Sequence, residues 1–389
     1  MKIGIITLWG TKDNYGQVLQ AYALQKYLMS RGHDVYHIKY AIKGKNLNEQ
    51  ITELIKHPIK RLKAILKRIF VLNKSIKEGQ KFALEHPRGF DEFRNKEIKT
   101  YEYNYKGYKE ICENPPQADV YITGSDQVWN VEIIKDTLPY FLAFGSPKTT
   151  RIAYAVSMGD RQSKDNSYIS KLSILLKAFT KVGVREEAGI EICRMANYAS
   201  AQHVLDPTLL LSADDYLNLI GKPQETDWNA DNRLYAYFLN FQTHGDIEWD
   251  KIVETARTNN LDLRLTVSSG GLPIYDRLGY KDYYCPTIYQ WLQTIHCANY
   301  LVTNSFHGIA FAIIFNKQFL YIPLRKASAK MNERIYGLLK ELSLESRIWQ
   351  SQNKDMYKAI TETINWEMIN QHVEKKRNIT NLFFSELSL

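Results

Sequence analysis

Short apolar runs that end in polar clusters recur along this chain, and their spacing predicts alternating strands and helices. Residues 2–8, 16–31 and 34–40 read as strand, helix and strand, with Gly32 placed where a helix C-terminus favours glycine. The turn before that helix holds Asp13, Asn14, Tyr15 and Gly16. Strands at 119–122, 151–156, 181–184 and 203–205 follow. Each delivers polar residues at its carboxyl end: 123–130, then Ser157, then Arg185 with Glu186 and Glu187, then Asp206. Such repetition is the mark of a parallel sheet with its site along one edge. Residues 300–303 and 309–315 read as a buried strand and a buried helix, with Asn304, Ser305, Phe306, His307 and Gly308 between them.

A turn-rich polar stretch at 221–232 is the best linker in the chain. Beyond it, strands at 234–239, 261–267, 300–303 and 318–322 and helices at 246–259 and 287–297 make a second α/β unit. The length, 389 residues, is too great for one ordinary core. The expected fold is α/β, with two Rossmann-like domains facing across a cleft. Its divisions are 1–220 with a basic helical insert at about 45–115, then 233–365, then a polar terminal helix over 366–389.

Apolar content of 44% with 24% charged residues describes a globular chain. No apolar run reaches the roughly 18 residues of a membrane span. The first residues read as a strand and not as a signal peptide, so a cytoplasmic location is expected. Four cysteines (Cys112, Cys193, Cys285, Cys297) lack close pairing and are expected to be reduced. His and Cys spacing matches no zinc site, and no metal is expected. No Asp-x-Asp pair occurs, and no G-x-G-x-x-G fingerprint follows the first strand.

The net charge of +9 is local, because residues 56–109 hold fifteen Lys/Arg against six Asp/Glu. Within that segment Ile55, Ile59, Leu62, Leu66 and Ile69 recur at helical spacing among basic residues. A basic amphipathic helix of this kind can lie on an anionic membrane surface, at the inner face for a cytoplasmic protein, or pack on its own domain. Nucleic acid is not an expected partner, since the charge is not interleaved with a binding motif.

At the 300–315 junction, Ser305 can cap the helix or bind a phosphate oxygen, Gly308 lets a ligand approach, and His307 can carry a proton. Arg185 suits a fork that holds a carboxylate or phosphate, or else a salt bridge to Glu186 or Glu187.

Taken in order, the motifs resemble those of the polysaccharide pyruvyl transferase family. They are Asp13-Asn14-Tyr15-Gly16, Gly124-Ser125-Asp126-Gln127-Val128-Trp129-Asn130, Ser157-Met158-Gly159, Val184-Arg185-Glu186, Asp206-Pro207-Thr208 and Thr303-Asn304-Ser305-Phe306-His307-Gly308. The resemblance implies a GT-B-like fold, phosphoenolpyruvate as donor, no cofactor, and a sugar with two hydroxyls as acceptor, in some cases lipid-linked. The product is then a cyclic ketal on a capsule or exopolysaccharide precursor, and phosphate is released. It also implies that His307 and Arg185 are the functional residues.

Ketal formation requires a proton on the methylene carbon of the donor, and His307 is the candidate acid, or else a phosphate donor. Asn304, Ser305 and Gly308 would complete a phosphate cradle, with Arg334 adding charge from the second domain or lying on a helix surface. Asp126 is a candidate base for an attacking hydroxyl. Trp129 would stack on a sugar face or fill core, and Asn14, Gly16, Ser125, Gln127 and Ser157 are placed beside the acceptor. A GT-B glycosyltransferase using a nucleotide sugar is the alternative enzyme, and a sugar- or membrane-binding scaffold the non-enzymatic one.

Overall fold

The structure, a computed structural model, describes all residues except 12, 41–83, 133, 135, 160–164, 222–227, 229–231, 240, 242, 269–282, 326–328, 330, 351–354 and 388–389. The expected basic helix at 55–69 lies outside the described residues.

Among the described residues eleven strands form two parallel sheets. The first contains β1 (Lys2–Ile6), β2 (Asp34–Tyr40), β3 (Thr100–Tyr105), β4 (Val120–Asp126), β5 (Thr150–Val156), β6 (Lys181–Val184) and β7 (Gln202–His203), in the order β3-β2-β1-β4-β5-β6-β7. The second contains β8 (Arg233–Leu239), β9 (Asp262–Ser268), β10 (Tyr300–Thr303) and β11 (Gln318–Tyr321), in the order β11-β10-β8-β9. The helices of at least six residues are α1 (Tyr15–Ser30), α2 (Phe90–Glu97), α3 (Tyr108–Glu113), α4 (Asn166–Leu175), α5 (Glu187–Met195), α6 (Ala213–Ile220), α7 (Trp249–Thr258), α8 (Ile288–Cys297), α9 (Phe306–Ile314), α10 (Glu333–Glu341), α11 (Met356–Thr361) and α12 (Trp366–Ser385).

The strand orders explain the apolar runs. Helices cover both faces of a parallel sheet, so its central strands are continuously apolar, and every residue of β4 is buried. Strand order reverses between β1 and β4 in one sheet and between β8 and β10 in the other. Crevices open at the carboxyl ends of strands where order reverses, and residues from both crevices meet in this fold.

One apolar cluster joins the two domains. Tyr15 of α1 stacks on Trp291 of α8 with ring centroids 5.1 Å apart, and its hydroxyl donates to Pro286 O at 2.6 Å. The chain is therefore α/β with two Rossmann-like domains, in firm contact beside the cleft.

Three features differ from the expected division. Thr100–Tyr105, expected within the basic insert, is the edge strand of the first sheet, paired in parallel with β2. Helix α6, expected in the first domain, packs on α8 of the second. The terminal helix α12 is not merely polar: it buries Ile369, Val373, Phe383 and Phe384. Phe384 packs on Tyr154 of β5 (4.7 Å) and Tyr27 of α1 (5.4 Å), and Arg377 donates to Leu209 O and Leu211 O. The chain thus returns to the first domain after building the second.

Candidate active site where the two sheets meet

The β10–α9 junction is fixed by its own side chains. Thr303 Oγ donates to Tyr237 O (2.6 Å) and accepts from Ser305 N (3.0 Å). Ser305 Oγ accepts from Gly308 N at 3.2 Å, the usual N-cap bond. Asn304 spans the reversal in strand order: Oδ1 accepts from Leu239 N at 2.7 Å, and Nδ2 donates to Leu239 O at 2.6 Å. A Cβ on residue 308 would stand 2.7 Å from Thr303 Oγ, so only glycine fits there. These bonds spend Asn304 and Ser305 on holding the turn, and the turn sends His307 into the first domain.

His307 is 8% exposed. Its ring packs against Gly16 near the start of α1, where a Cβ would stand 2.0 Å from Nδ1. Its Nε2 is 3.7 Å from Asp206 Oδ2. Asn14 caps α1 by accepting from Gln17 N at 3.3 Å.

Asp206 is fully buried beyond β7. Its Oδ1 accepts from Thr208 N (3.0 Å) and Thr208 Oγ (2.7 Å), and its Oδ2 from Ser125 Oγ (3.1 Å) and Arg185 Nη1 (3.2 Å). Burial alone would raise this carboxyl, but His307 and Arg185 beside it outweigh burial and hold it below the usual carboxylate range. The sequence places Asp206 at a strand's carboxyl end and in the Asp206-Pro207-Thr208 motif, but assigns it no role. Its pairing with His307 joins two domains, and that partner is what gives it a role.

Arg185, also buried, donates from Nε to Glu186 Oε1 at 2.9 Å and lies over the Phe306 ring at 4.8 Å. Asp126 Oδ1 is 3.9 Å from its Nη1. Burial opposes its charge, yet Glu186, Asp206 and Asp126 outweigh burial and raise its pKa, so the guanidinium is charged. The salt bridge to Glu186 weighed from the sequence is present, and Nη2 stays out of it. Arg334, on α10, faces the same place from the second domain. Burial and then the neighbouring Arg185 lower its pKa, against the pull of Asp126 and Glu186.

Arg185 Nη2, Arg334 Nε and His307 Nε2 are buried and have no hydrogen-bond partner among the described residues. Two neighbouring guanidinium groups with unspent donors can together hold an anion.

Asp126 ends β4 in the left-handed region, φ +64°, which a non-glycine residue adopts only when its surroundings force it. Its carbonyl accepts from Val128 N (2.8 Å) and Ser157 N (2.9 Å), and its Oδ2 accepts from Gln17 Nε2 at 3.4 Å. This kink turns the following loop inward. Trp129 consequently has no face for a sugar: it is 0% exposed, stacks on Phe141 at 4.6 Å and donates from Nε1 to Tyr140 O at 2.9 Å. Its expected place beside the acceptor is corrected to the core. Gln127 and Ser157 border a cavity of about 50 Å³ that Glu186 and Arg334 also line. A second cavity, of about 570 Å³, is lined by Arg185, Asp206, Phe306 and Arg334 together with further residues of α10.

Among the described residues no group of three His, Cys, Asp or Glu side chains could hold a metal, and no helix is long and apolar enough to cross a membrane.

A profile of the family described as polysaccharide pyruvyl transferase matches residues 14–324. No curated protein matches the chain. Solved structures share the fold. A protein described as a UDP-N-acetylglucosamine 2-epimerase from Listeria monocytogenes is 10% identical with a TM-score of 0.51, covering 97% of this chain and 90% of its own. The UDP-N-acetylglucosamine 2-epimerase from Rickettsia bellii is 11% identical with a TM-score of 0.50, covering 99% and 96%. The UDP-GlcNAc 2-epimerase from Methanocaldococcus jannaschii is 11% identical with a TM-score of 0.50, covering 96% and 92%. At such identities the likeness concerns the two-domain GT-B-like fold alone.

Proposed function

The chain belongs to the polysaccharide pyruvyl transferase family, and from that premise we propose that it transfers pyruvate from phosphoenolpyruvate to two hydroxyls of a sugar in a surface-polysaccharide precursor. The observation that carries the reading is the convergence of three unspent donors, Arg185 Nη2, Arg334 Nε and His307 Nε2, from two domains onto one place. Phosphoenolpyruvate is compact and polyanionic, and its carboxylate and phosphate suit two opposed guanidinium groups.

In this reading Arg185 and Arg334 hold the donor, and His307 gives a proton to the methylene carbon, which becomes a methyl group. One sugar hydroxyl bonds to the central carbon and loses its proton to Asp126. The carbon–oxygen bond to phosphate then breaks, and the second hydroxyl closes the ketal. Of the two hydroxyl protons, one replaces the proton drawn from His307 and the other leaves with inorganic phosphate. The buried Asp206, 3.7 Å from His307 Nε2, acts through His307 by orienting the ring.

Three roles expected from the sequence become supporting ones: Asn304, Ser305 and Gly308 shape the turn that aims His307. The acceptor is a glycan, and a lipid-linked form would suit a basic insert that docks on an anionic membrane surface.

Thermal unfolding with phosphoenolpyruvate against a panel of nucleotide sugars tests the reading. A ligand at about 100 times its dissociation constant adds roughly 2.7 kcal/mol to a folded protein that alone binds it. Stabilisation by phosphoenolpyruvate, lost in Arg334→Met, is expected. Stabilisation by a nucleotide sugar and not by phosphoenolpyruvate would replace pyruvyl transfer with glycosyl transfer.

A further inference from the structure

The cavity of about 570 Å³ is larger than the donor needs. It falls within the roughly 300–1,000 Å³ typical of ligand pockets. The smaller cavity, of about 50 Å³, is less than a tenth of the larger one's volume. Glu186 and Arg334 line both cavities and so stand on the wall between them.

The larger cavity has the chemistry of a sugar site. Tyr336 on its wall is 39% exposed, and its ring is braced edge-on by Tyr321 at 6.0 Å. An amphipathic ring of this kind suits the apolar C–H face of a pyranose. Gly337 comes next, and a Cβ there would meet no atom within 4 Å, so the wall recedes beside the ring. Among the described residues the lining carries five carboxylates against four Lys and Arg side chains. A diphosphate would find no net attraction in that balance. A neutral polyhydroxylated ligand finds both acceptors and donors, with Glu187 and Lys340 near the platform.

We propose that this cavity binds the acceptor glycan as a neutral pyranose, with its C–H face on Tyr336 and its reacting hydroxyls toward Arg185 and Arg334, which hold the donor. Gln127 and Ser157, placed beside the acceptor from the sequence, border the smaller cavity instead. The assignment rests on the proposed pyruvyl transfer for its reaction and on the cavity alone for its binding.

Saturation-transfer NMR on the full chain, with the methyl glycosides of glucose, galactose and mannose as probes, tests it. Transfer to ring protons of at least one glycoside is expected with the unaltered protein. Gly337→Trp, whose Cβ enters open space on the cavity wall, should abolish it, and Tyr336→Ala should weaken binding about tenfold, a change of about 1.4 kcal/mol. Transfer that persists in Gly337→Trp overturns the proposal, as does its absence for every glycoside. Melting with phosphoenolpyruvate on the same samples separates the two readings. A protein that binds glycosides in this cavity but ignores phosphoenolpyruvate keeps the sugar site and loses the reaction. One that is stabilised by phosphoenolpyruvate but ignores glycosides does the reverse.

Discussion

Gly16 and His307 come from different domains and touch so closely that a single methyl group cannot fit between them: a Cβ on residue 16 would lie 2.0 Å from Nδ1 and 2.5 Å from the His307 Cβ. Gly16→Ala therefore displaces the imidazole. In the proposed reaction the rate should fall by on the order of a hundred- to ten-thousand-fold, the usual worth of a general acid. Alanine favours helix over glycine by about 1 kcal/mol, which offsets part of the packing loss. Turnover and melting temperature, measured together, check this; a fully active Gly16→Ala would remove His307 from the chemistry.

Arg334 gains nothing for the fold, being half-buried, opposed by Arg185 and left with an unpaired Nε. Arg334→Met should leave stability unchanged or raise it, while weakening phosphoenolpyruvate. A lost hydrogen bond to a charged group is worth about 1.5–3 kcal/mol, so the Michaelis constant should rise roughly ten- to a hundredfold. Unfolding in urea with steady-state kinetics separates the effects, and an unchanged Michaelis constant would count against the anion site.

Asp206 ties acid stability to the site. Its folded pKa lies below its unfolded value, so its contribution is complete above the unfolded pKa of about 4 and fades as pH falls further toward the folded value. Asp206→Asn should cost about 3 kcal/mol, at the low end for breaking a buried ion pair because Arg185 keeps Glu186 and Asp126. It should also flatten the pH dependence of stability below about pH 4. Chemical unfolding across that range supplies the measurement.

His37 works over a different range. It is fully buried, with Nε2 donating to Ala21 O at 3.0 Å, and burial lowers its pKa to about 4 from 6.5. The unfolded chain then binds the extra proton first, so stability should fall as pH drops from 6.5 to about 4, by about 3 kcal/mol at most. His37→Gln should remove most of that slope. A slope equally steep in the variant would show that other groups set it.

Trp129 distinguishes core from site. Trp129→Phe leaves Tyr140 O without its donor, at a cost of about 1–3 kcal/mol. Kinetic constants for both substrates should stay unchanged. A selective rise in the Michaelis constant for acceptor would return Trp129 to the sugar.

The strand ends that carry the site were legible because buried parallel strands write themselves as apolar runs bounded by polar residues. The serine cap made the start of α9 equally plain. Trp129 was not, because its direction depends on the left-handed backbone of Asp126, and no residue type announces a positive φ there. The alternation of Tyr101, Tyr103 and Tyr105 in β3 is masked in the sequence by the surrounding lysines and arginines. The pairing of Asp206 with His307 crosses two domains, and no local pattern encodes such a contact.

The return of α12 to the first domain sets an order of assembly during synthesis. Tyr27 and Tyr154 leave the ribosome long before the rings that cover them, Phe383 and Phe384. The second domain can close on itself while the first waits with an uncovered apolar flank, a period in which nascent chains are open to aggregation. A chain cut short before Trp366 never leaves that state.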